Sequence, residues 1–344
     1  MRKKINYNFF GYRKPPLIIT EISGNHNGSK KRFLSLIKSA CKNGADLIKI
    51  QTYEPEDITL KSKNNAFKIK NGIWKNEYLW DLYKKASTPF SWHYDAIKIA
   101  KKYKKILFSS PFSIRAVDFL ESIKIPIYKI ASFEITDYNL IDHIASKKKP
   151  IIISTGMASI EEIKKATKII ENYHSKIIIL HCVSNYPTQL KDTNLKNIKQ
   201  LKKIFKKYLV GISDHTNHIY SSLAAIPLGI ALIEKHYNYD GKSTPDSKFS
   251  IDKTKLQDLK EKSIQIFKSL NSNKRFLVPE NLNFRRSIFT SKIINKNEAI
   301  TKKNITALRP TIGIKSENFF KLIGKKVNKK ILANYPLYWR DIKK

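Results

Sequence analysis

The sequence predicts a (β/α)8 TIM-type barrel followed by a small β-rich domain. Three observations carry this. Eight short runs rich in β-branched residues recur, apolar on both faces, as parallel strands covered by helices require. Amphipathic stretches of helical period lie between them. From about residue 283 that pattern gives way to short alternating runs and turns.

The elements follow in order. LIITE (17–21) is the first strand and runs into SGNHNG; a helical stretch covers 30–42. DLIKI (46–50) is the second strand. The connection after it, about 50–90, is unusually long and carries WKNEYLWDLYKKASTPFSWH. Long connections at that end of a barrel serve the site, either as an apolar helix packed on the rim or by direct contact with substrate. Helical stretches at 91–104 and 113–122 flank the third strand, ILFSS (106–110), and IYKIA (127–131) is the fourth. IIIST (151–155) precedes a helix at 159–172, where Ser159 and Glu162 form a capping-box pattern. IIILHC (177–182), a helix at 193–206, LVGIS (209–213) and ALIEKH (231–236) complete the series. Eight strand–helix units over roughly 270 residues fit a closed barrel. A doubly wound open sheet is the alternative, and no G-x-G-x-x-G follows the first strand to support it. The expected domains are 1–270 for the barrel, 271–282 for a linker and 283–344 for the small domain.

Composition narrows the function classes. Among 344 residues, 66 are Lys or Arg and 28 Asp or Glu, a net charge of +38. Such a charge raises a nucleic-acid binder, and 283–344, with 16 basic and three acidic residues, raises an RNA-binding tail. Only nine residues are Arg, however, and the lysine excess comes with an excess of Asn and Ile, which reads as a base-composition bias. Arg, with its planar bidentate fork, would be expected more often in a dedicated phosphate or base reader. Most of the charge falls on expected helix faces such as 101–105, 147–149 and 202–207 and on the tail. No RNP motif, zinc finger or aromatic interleaving accompanies it. We therefore expect no nucleic-acid partner. The hydrophobic share of 41% supports a real core. Cys41 and Cys182 lie in apolar runs and read as core thiols. MRKKINYNFF lacks a long apolar run, and no stretch of about 18 apolar residues exists, so the expectation is a cytoplasmic protein with no membrane association.

In a barrel the C-terminal strand ends converge on one face. Here they bring Glu21; Lys49 and Gln51; Ser110; Lys129, Ser132 and Glu134; Ser154; Ser184 and Tyr186; Ser213; and His215 and His236. Lysines inside apolar strands are costly unless an anion pairs with them. Lys49 and Lys129 therefore either pair with a barrel carboxylate such as Glu21 or form a phosphate- and carboxylate-binding floor, with the Ser and Thr hydroxyls as neutral donors. His215 and His236 end consecutive strands. Two imidazoles with water and substrate oxygens suit manganese, or less tightly magnesium. No third His or Cys lies close enough for a closed zinc site. His26 reads as a support for the first loop. Cys182 and His181 are adjacent on a strand, point to opposite faces and make a poor nucleophile–base pair. A Schiff-base lysine at Lys129 is the more serious rival.

These residues match a known pattern. TEISGNHNGS, GADLIKIQTY, FSSPF, YKIASFE, IISTGMAS, the Tyr186-Pro187 turn, GISDHT and IEKH occur in order on the expected elements. Over nearly its full length the chain resembles the nonulosonic acid (sialic acid) synthase family. ISGNHNG, LYKKASTPFSWH and Ser184 resemble its pseudaminate branch more than its N-acetylneuraminate branch, with legionaminate as a further alternative. The tail resembles the antifreeze-like (SAF) domain.

The resemblance implies that phosphoenolpyruvate condenses with an open-chain amino sugar aldehyde and phosphate leaves by C–O cleavage. In the pseudaminate branch the sugar is 2,4-diacetamido-2,4,6-trideoxy-L-altrose. It implies Lys49 and Lys129 with Gln51, Ser110, Ser132, Ser154, Ser184, Tyr186 and Ser213 around phosphoenolpyruvate. His215 and His236 would hold a divalent metal, manganese first and magnesium or cobalt otherwise. Glu21 and Glu134 would handle protons or orient water and hydroxyls, and Asp246 would contact the sugar. It further implies a domain-swapped homodimer in which the SAF domain caps the partner barrel and Arg309 reaches the sugar. Two departures stand out: Thr311 where the family has Gly after Arg-Pro, and Asn217-His218 where small residues with a Gly are common.

Overall fold

A computed structural model describes residues 7–272 and 279–343. Residues 273–278 of the expected linker, with residues 1–6 and Lys344, lie outside the described residues. The chain forms two compact units, Met1–Asn271 and Ser272–Lys344, and each is described by itself.

In the first unit eight parallel strands close a barrel in sequence order. They are β1 (Leu17–Glu21), β2 (Leu47–Thr52), β3 (Ile106–Pro111), β4 (Tyr128–Ile130), β5 (Ile151–Ser154), β6 (Ile177–Cys182), β7 (Leu209–Asp214) and β8 (Leu232–His236), and β8 pairs with β1 to complete the ring. The five expected helical stretches correspond to α1 (Lys30–Lys42), α3 (Trp92–Lys102), α4 (Ile114–Ser122), α6 (Ile160–Glu171) and α7 (Lys196–Ile204). The structure adds α2 (Leu79–Ala86), α5 (Tyr138–Ser146), α8 (Tyr220–Ala225) and α9 (Lys253–Leu270). Helix starts follow side-chain chemistry: Ser29, Ser113, Asp137, Ser159 and Asp252 each accept from a first-turn N–H, and Ser159 and Glu162 form a full capping box.

Strands β5 and β6 are buried along their whole length, because each is packed by side chains inside the barrel and by helices outside. Alternation then decides which polar groups point inward. On β8, Glu234 and His236 face the barrel interior, whereas Lys235 points out to Asp214 Oδ2 at 3.1 Å and to Thr216. Asp214 also accepts from Ser222 Oγ (2.6 Å) on α8, so this pair ties β7, β8 and α8 together outside the barrel. The register sets Glu21 opposite both Lys49 and His236. Ahead of β1, Phe10 is buried, Tyr7 Oη donates to Ile177 O (2.6 Å) and Val210 N donates to Tyr12 Oη (2.7 Å), so this segment covers the N-terminal ends of β6 and β7.

The second unit has its own core of Ile288, Ile294, Ile300, Ile305, Ile314, Leu322, Val327, Ile331, Leu337 and Ile342. An antiparallel pair, β9 (Ser287–Thr290) and β10 (Ile305–Leu308), and a one-turn helix α10 (Phe319–Leu322) frame it.

Candidate active site

A cavity of about 480 Å³ opens at the C-terminal ends of the barrel strands. Its floor is cationic. Lys49 from β2 makes an ion pair with Glu21 of β1 and lies 3.5 Å from Glu234 Oε1 of β8. Lys129 from β4 lies 3.6 Å from the same oxygen and donates to Ser154 Oγ at 2.7 Å. Ser213 Oγ of β7 also donates to Glu234, at 3.1 Å. Burial opposes charge on Lys49, but Glu21 and Glu234 outweigh it and raise its pKa. Burial likewise opposes charge on Glu234, and Lys129 and Lys49 outweigh it and hold that carboxyl low. Lys129 is pushed down by burial. Burial pushes the Glu21 carboxyl up to about 7, so the two buried amines face one firmly ionised carboxylate, Glu234, and a second, Glu21, that titrates near neutrality. Glu234, which ends the eighth strand with Lys235 and His236, was given no role by sequence reading, although its position two residues before His236 already put it on the inner face.

The metal candidates stand side by side: the rings of His215 and His236 are 5.3 Å apart. Tyr186 (4.4 Å from the His215 ring) and Phe249 (4.8 Å from the His236 ring) frame them. His215 Nδ1 lies 2.9 Å from Val183 O, and donation there leaves Nε2 with a free lone pair. Burial and the neighbouring His215 hold His236 neutral, and its Nδ1 has no hydrogen-bond partner among the described residues. Burial opposes charge on His215 as well, but the Cys182 thiol beside it outweighs burial and raises its pKa. Once His215 gives up that proton, two adjacent imidazoles with spare nitrogens fit a divalent transition metal. Among the described residues no group of three or more His, Cys, Asp or Glu is arranged to hold one, so the remaining ligands would be water and substrate oxygens. The Cys182 thiol lies 3.8 Å from His215 Nδ1, while His181 turns away to Thr193 O at 2.8 Å.

The other expected residues sort by strand. Gln51, Ser132, Ser154, Ser213 and Tyr186 line the cavity. Ser110 is buried and Ser184 half-buried, and neither hydroxyl has a hydrogen-bond partner among the described residues. Gly156, with φ +40°, permits this crowding: a Cβ there would fall 2.4 Å from Ser184 Oγ and 2.5 Å from Ser132 Cβ. Glu134 lines the cavity with its Oε2 unpartnered among the described residues, and burial pushes its carboxyl up to about 7. Asp246 is buried in the lining, accepts from Gly24 N (3.1 Å) and lies 3.9 Å from His236 Nδ1. His26 sits behind the wall, with Nδ1 accepting from Gly28 N and its ring against Phe33 and Trp92. Burial lowers its pKa to about 4, as suits a loop support.

Arg309 lies in the second unit, exposed just after β10. The neighbouring Thr311 hydroxyl donates to Leu282 O and Arg285 O, both at 2.9 Å. A side chain thus fastens the loop at the position where a Gly was expected.

The long connection after β2 forms one wall. Ile58, Ile69, Trp74, Leu79, Leu82 and Ala86 line it, so α2 both packs on the rim and faces the cavity. Trp74 Nε1 donates to Pro245 O (2.9 Å), and its ring packs against Tyr186 and Phe249.

Comparisons with known proteins find relatives along nearly the whole chain. The NeuB family model matches residues 36–275, and the SAF domain matches residues 285–343. The pseudaminic acid synthase of Helicobacter pylori is 39% identical over 96% of this chain and 99% of its own length. That of Campylobacter jejuni is 40% identical over 94% and 95%. The N,N'-diacetyllegionaminic acid synthase of Campylobacter jejuni is 35% identical over 91% and 96%. Among solved structures, the N-acetylneuraminic acid synthetase of Leptospira borgpetersenii superposes with a TM-score of 0.71 at 29% identity, covering 82% of this chain and 93% of that one.

Proposed function

The chain belongs to the NeuB family, and from that premise we propose that it condenses phosphoenolpyruvate with 2,4-diacetamido-2,4,6-trideoxy-L-altrose and water, giving pseudaminic acid and inorganic phosphate. C3 of phosphoenolpyruvate bonds to the aldehyde carbon, the C2–O bond to phosphate breaks, and water adds at C2. The observation that carries the reaction class is one cavity holding both the Lys49–Lys129 floor and the His215–His236 pair. The choice of branch rests on the 39–40% identity to pseudaminic acid synthases along nearly the whole chain.

Each group then has a task. Lys49 and Lys129 neutralise the phosphate and carboxylate of phosphoenolpyruvate, with Ser132, Ser154 and Ser213 as neutral donors and Gln51, Ser110, Ser184 and Tyr186 around them. Glu21 and Glu234 raise the Lys49 pKa in the absence of ligand, and Glu234 offsets part of the burial that lowers Lys129. Glu134, with a carboxyl near neutrality, passes a proton between the sugar oxygens and water. Glu21 also shapes the first loop, since it accepts from Ser23 N at 2.9 Å. Asp246 orients a sugar hydroxyl. His215 and His236 would hold the divalent metal, manganese in our reading, whose chemistry is to polarise the aldehyde oxygen. The complete enzyme is a homodimer in which the SAF domain of one subunit caps the barrel of the other and Arg309 reaches the sugar. Among the described residues no helix is long and apolar enough to cross a membrane. Our reading places the reaction in the cytoplasm.

The test is phosphate release from phosphoenolpyruvate with each candidate sugar and manganese. Turnover of the altrose sugar is expected. Turnover of N-acetylmannosamine instead moves the chain to the neuraminate branch, and turnover of the 2,4-diacetamido mannose analogue moves it to legionaminate.

A further inference from the structure

The cavity has two chemically different sides. The charged floor is accounted for by the phosphate, carboxylate and aldehyde of the reaction. Another part of the lining is apolar: Ile58, Ile69, Leu79, Leu82 and Ala86 come from the connection after β2 and from α2, and Phe112, directly after β3, adds to it. Only the hydroxyls of Tyr53 and Tyr83 interrupt it, and burial raises the pKa of both, which keeps them neutral. The wall is held in place: Trp74 is anchored on Pro245 O, and Tyr53 packs edge-on against Tyr83 (6.0 Å) and Phe112 (5.1 Å).

Carbon–carbon bond formation requires the sugar's C1 at the charged floor. Remote carbons of the open chain that extend along this stretch meet apolar side chains. Beyond the Tyr53 and Tyr83 hydroxyls, these side chains offer the C6 hydroxyl of an ordinary hexosamine no partner, and a buried hydroxyl without a partner is penalised. A 6-deoxy sugar brings a methyl group there. We propose that the stretch 58–86 is the specificity element of this enzyme, reading the C6 methyl of a 6-deoxy amino sugar and rejecting the 6-hydroxy counterpart. This rests on the open-chain amino sugar occupying the same cavity, as in the function proposed above.

The experiment compares kcat/KM, by phosphate release, for two pairs of 2,4-diacetamido sugars with 6-deoxy and 6-hydroxy members, one pair in the altrose and one in the mannose series. In whichever series the native enzyme uses, the 6-deoxy member should be preferred about 100-fold, the order by which an apolar pocket rejects an added hydroxyl. In Ile69→Asn and Leu79→Asn, two independent and half-buried positions, the preference should fall to about 10-fold or less with the phosphoenolpyruvate KM unchanged. Equal use of both members by the native enzyme overturns the proposal without any variant. A ratio that stays at the native value in an active variant also overturns it. An inert altrose pair beside a mannose pair used with 6-deoxy preference removes the pseudaminate assignment and leaves the wall's role standing. Preference for N-acetylmannosamine over all four removes both.

Discussion

Replacing Glu234 by glutamine removes the charge that two buried lysines share. Its Oε1 lies 3.5 Å from Lys49 Nζ and 3.6 Å from Lys129 Nζ, and all three side chains are nearly inaccessible to solvent. At an effective dielectric of about 20, each contact is worth roughly 4–5 kcal/mol before desolvation. Removing the carboxylate from water offsets several kcal/mol of the sum. In the variant, Lys49 and Lys129 are left with Glu21 as the remaining carboxyl, a group that burial has already pushed up to about 7. Breaking a buried pair in this way costs about 3–5 kcal/mol, a fall in Tm of roughly 6–20 °C for a domain of this size. The pH sign follows from the depressed pKa of Glu234. Its contribution is complete above the unfolded carboxyl value of about 4.3 and is lost as pH falls through the folded value, so native and variant Tm converge in acid. Inorganic phosphate adds a second readout. The variant floor carries one more uncompensated positive charge, so millimolar phosphate should raise its Tm by more than it raises the native Tm. Scanning calorimetry at pH 7, with and without phosphate, measures both. A Tm loss under about 2 °C, or equal phosphate increments, would refute the role given to Glu234.

Three further outcomes are expected. Because burial raises Glu134 to about 7, the folded protein binds that proton more tightly than the unfolded chain, and stability declines as pH rises through about 4.5 to 7. Glu134→Gln should remove a penalty of about 3 kcal/mol at pH 8 and little at pH 5; urea unfolding curves that differ equally at both pH values contradict this. His236→Ala should abolish turnover and weaken manganese binding measured by calorimetry, and full activity in that variant would sink the metal assignment. Arg309→Ala should raise the sugar KM several-fold with little change for phosphoenolpyruvate, and an unchanged sugar KM removes its proposed role.

The barrel was legible because its strands announce themselves. Runs such as IIIST and IIILHC are apolar on both faces, and nothing but helix-covered parallel strands accommodates eight of them in series. Lys49 and Lys129 were legible as anomalies, since no apolar strand tolerates an unpaired ammonium. The two readings left open for them, a carboxylate pair or an anion floor, turn out to be compatible: both lysines line the cavity and both are paired. Glu234 was harder, because its partners sit on β2 and β4, far away in sequence, and only closure of the barrel brings them together. The apolar wall was hidden for another reason. Ile58, Ile69 and Leu79 lie in a connection with no sustained period, so no template distinguishes them from ordinary loop residues. Thr311 illustrates the limit of reasoning by departure: the sequence shows only that a Gly is missing, whereas the structure shows its hydroxyl held by two carbonyls, which fastens the loop.

The two sides of the cavity differ in how the chain supplies them. The anion floor is assembled from β1, β2, β4, β5, β7 and β8, so no single segment can be exchanged without disturbing its charge balance. The apolar wall comes almost entirely from one uninterrupted stretch, 58–86. Such a division lets heredity treat donor and acceptor recognition as separable traits. Recombination or transplantation of one short cassette can change which sugar is accepted while the phosphoenolpyruvate half stays untouched.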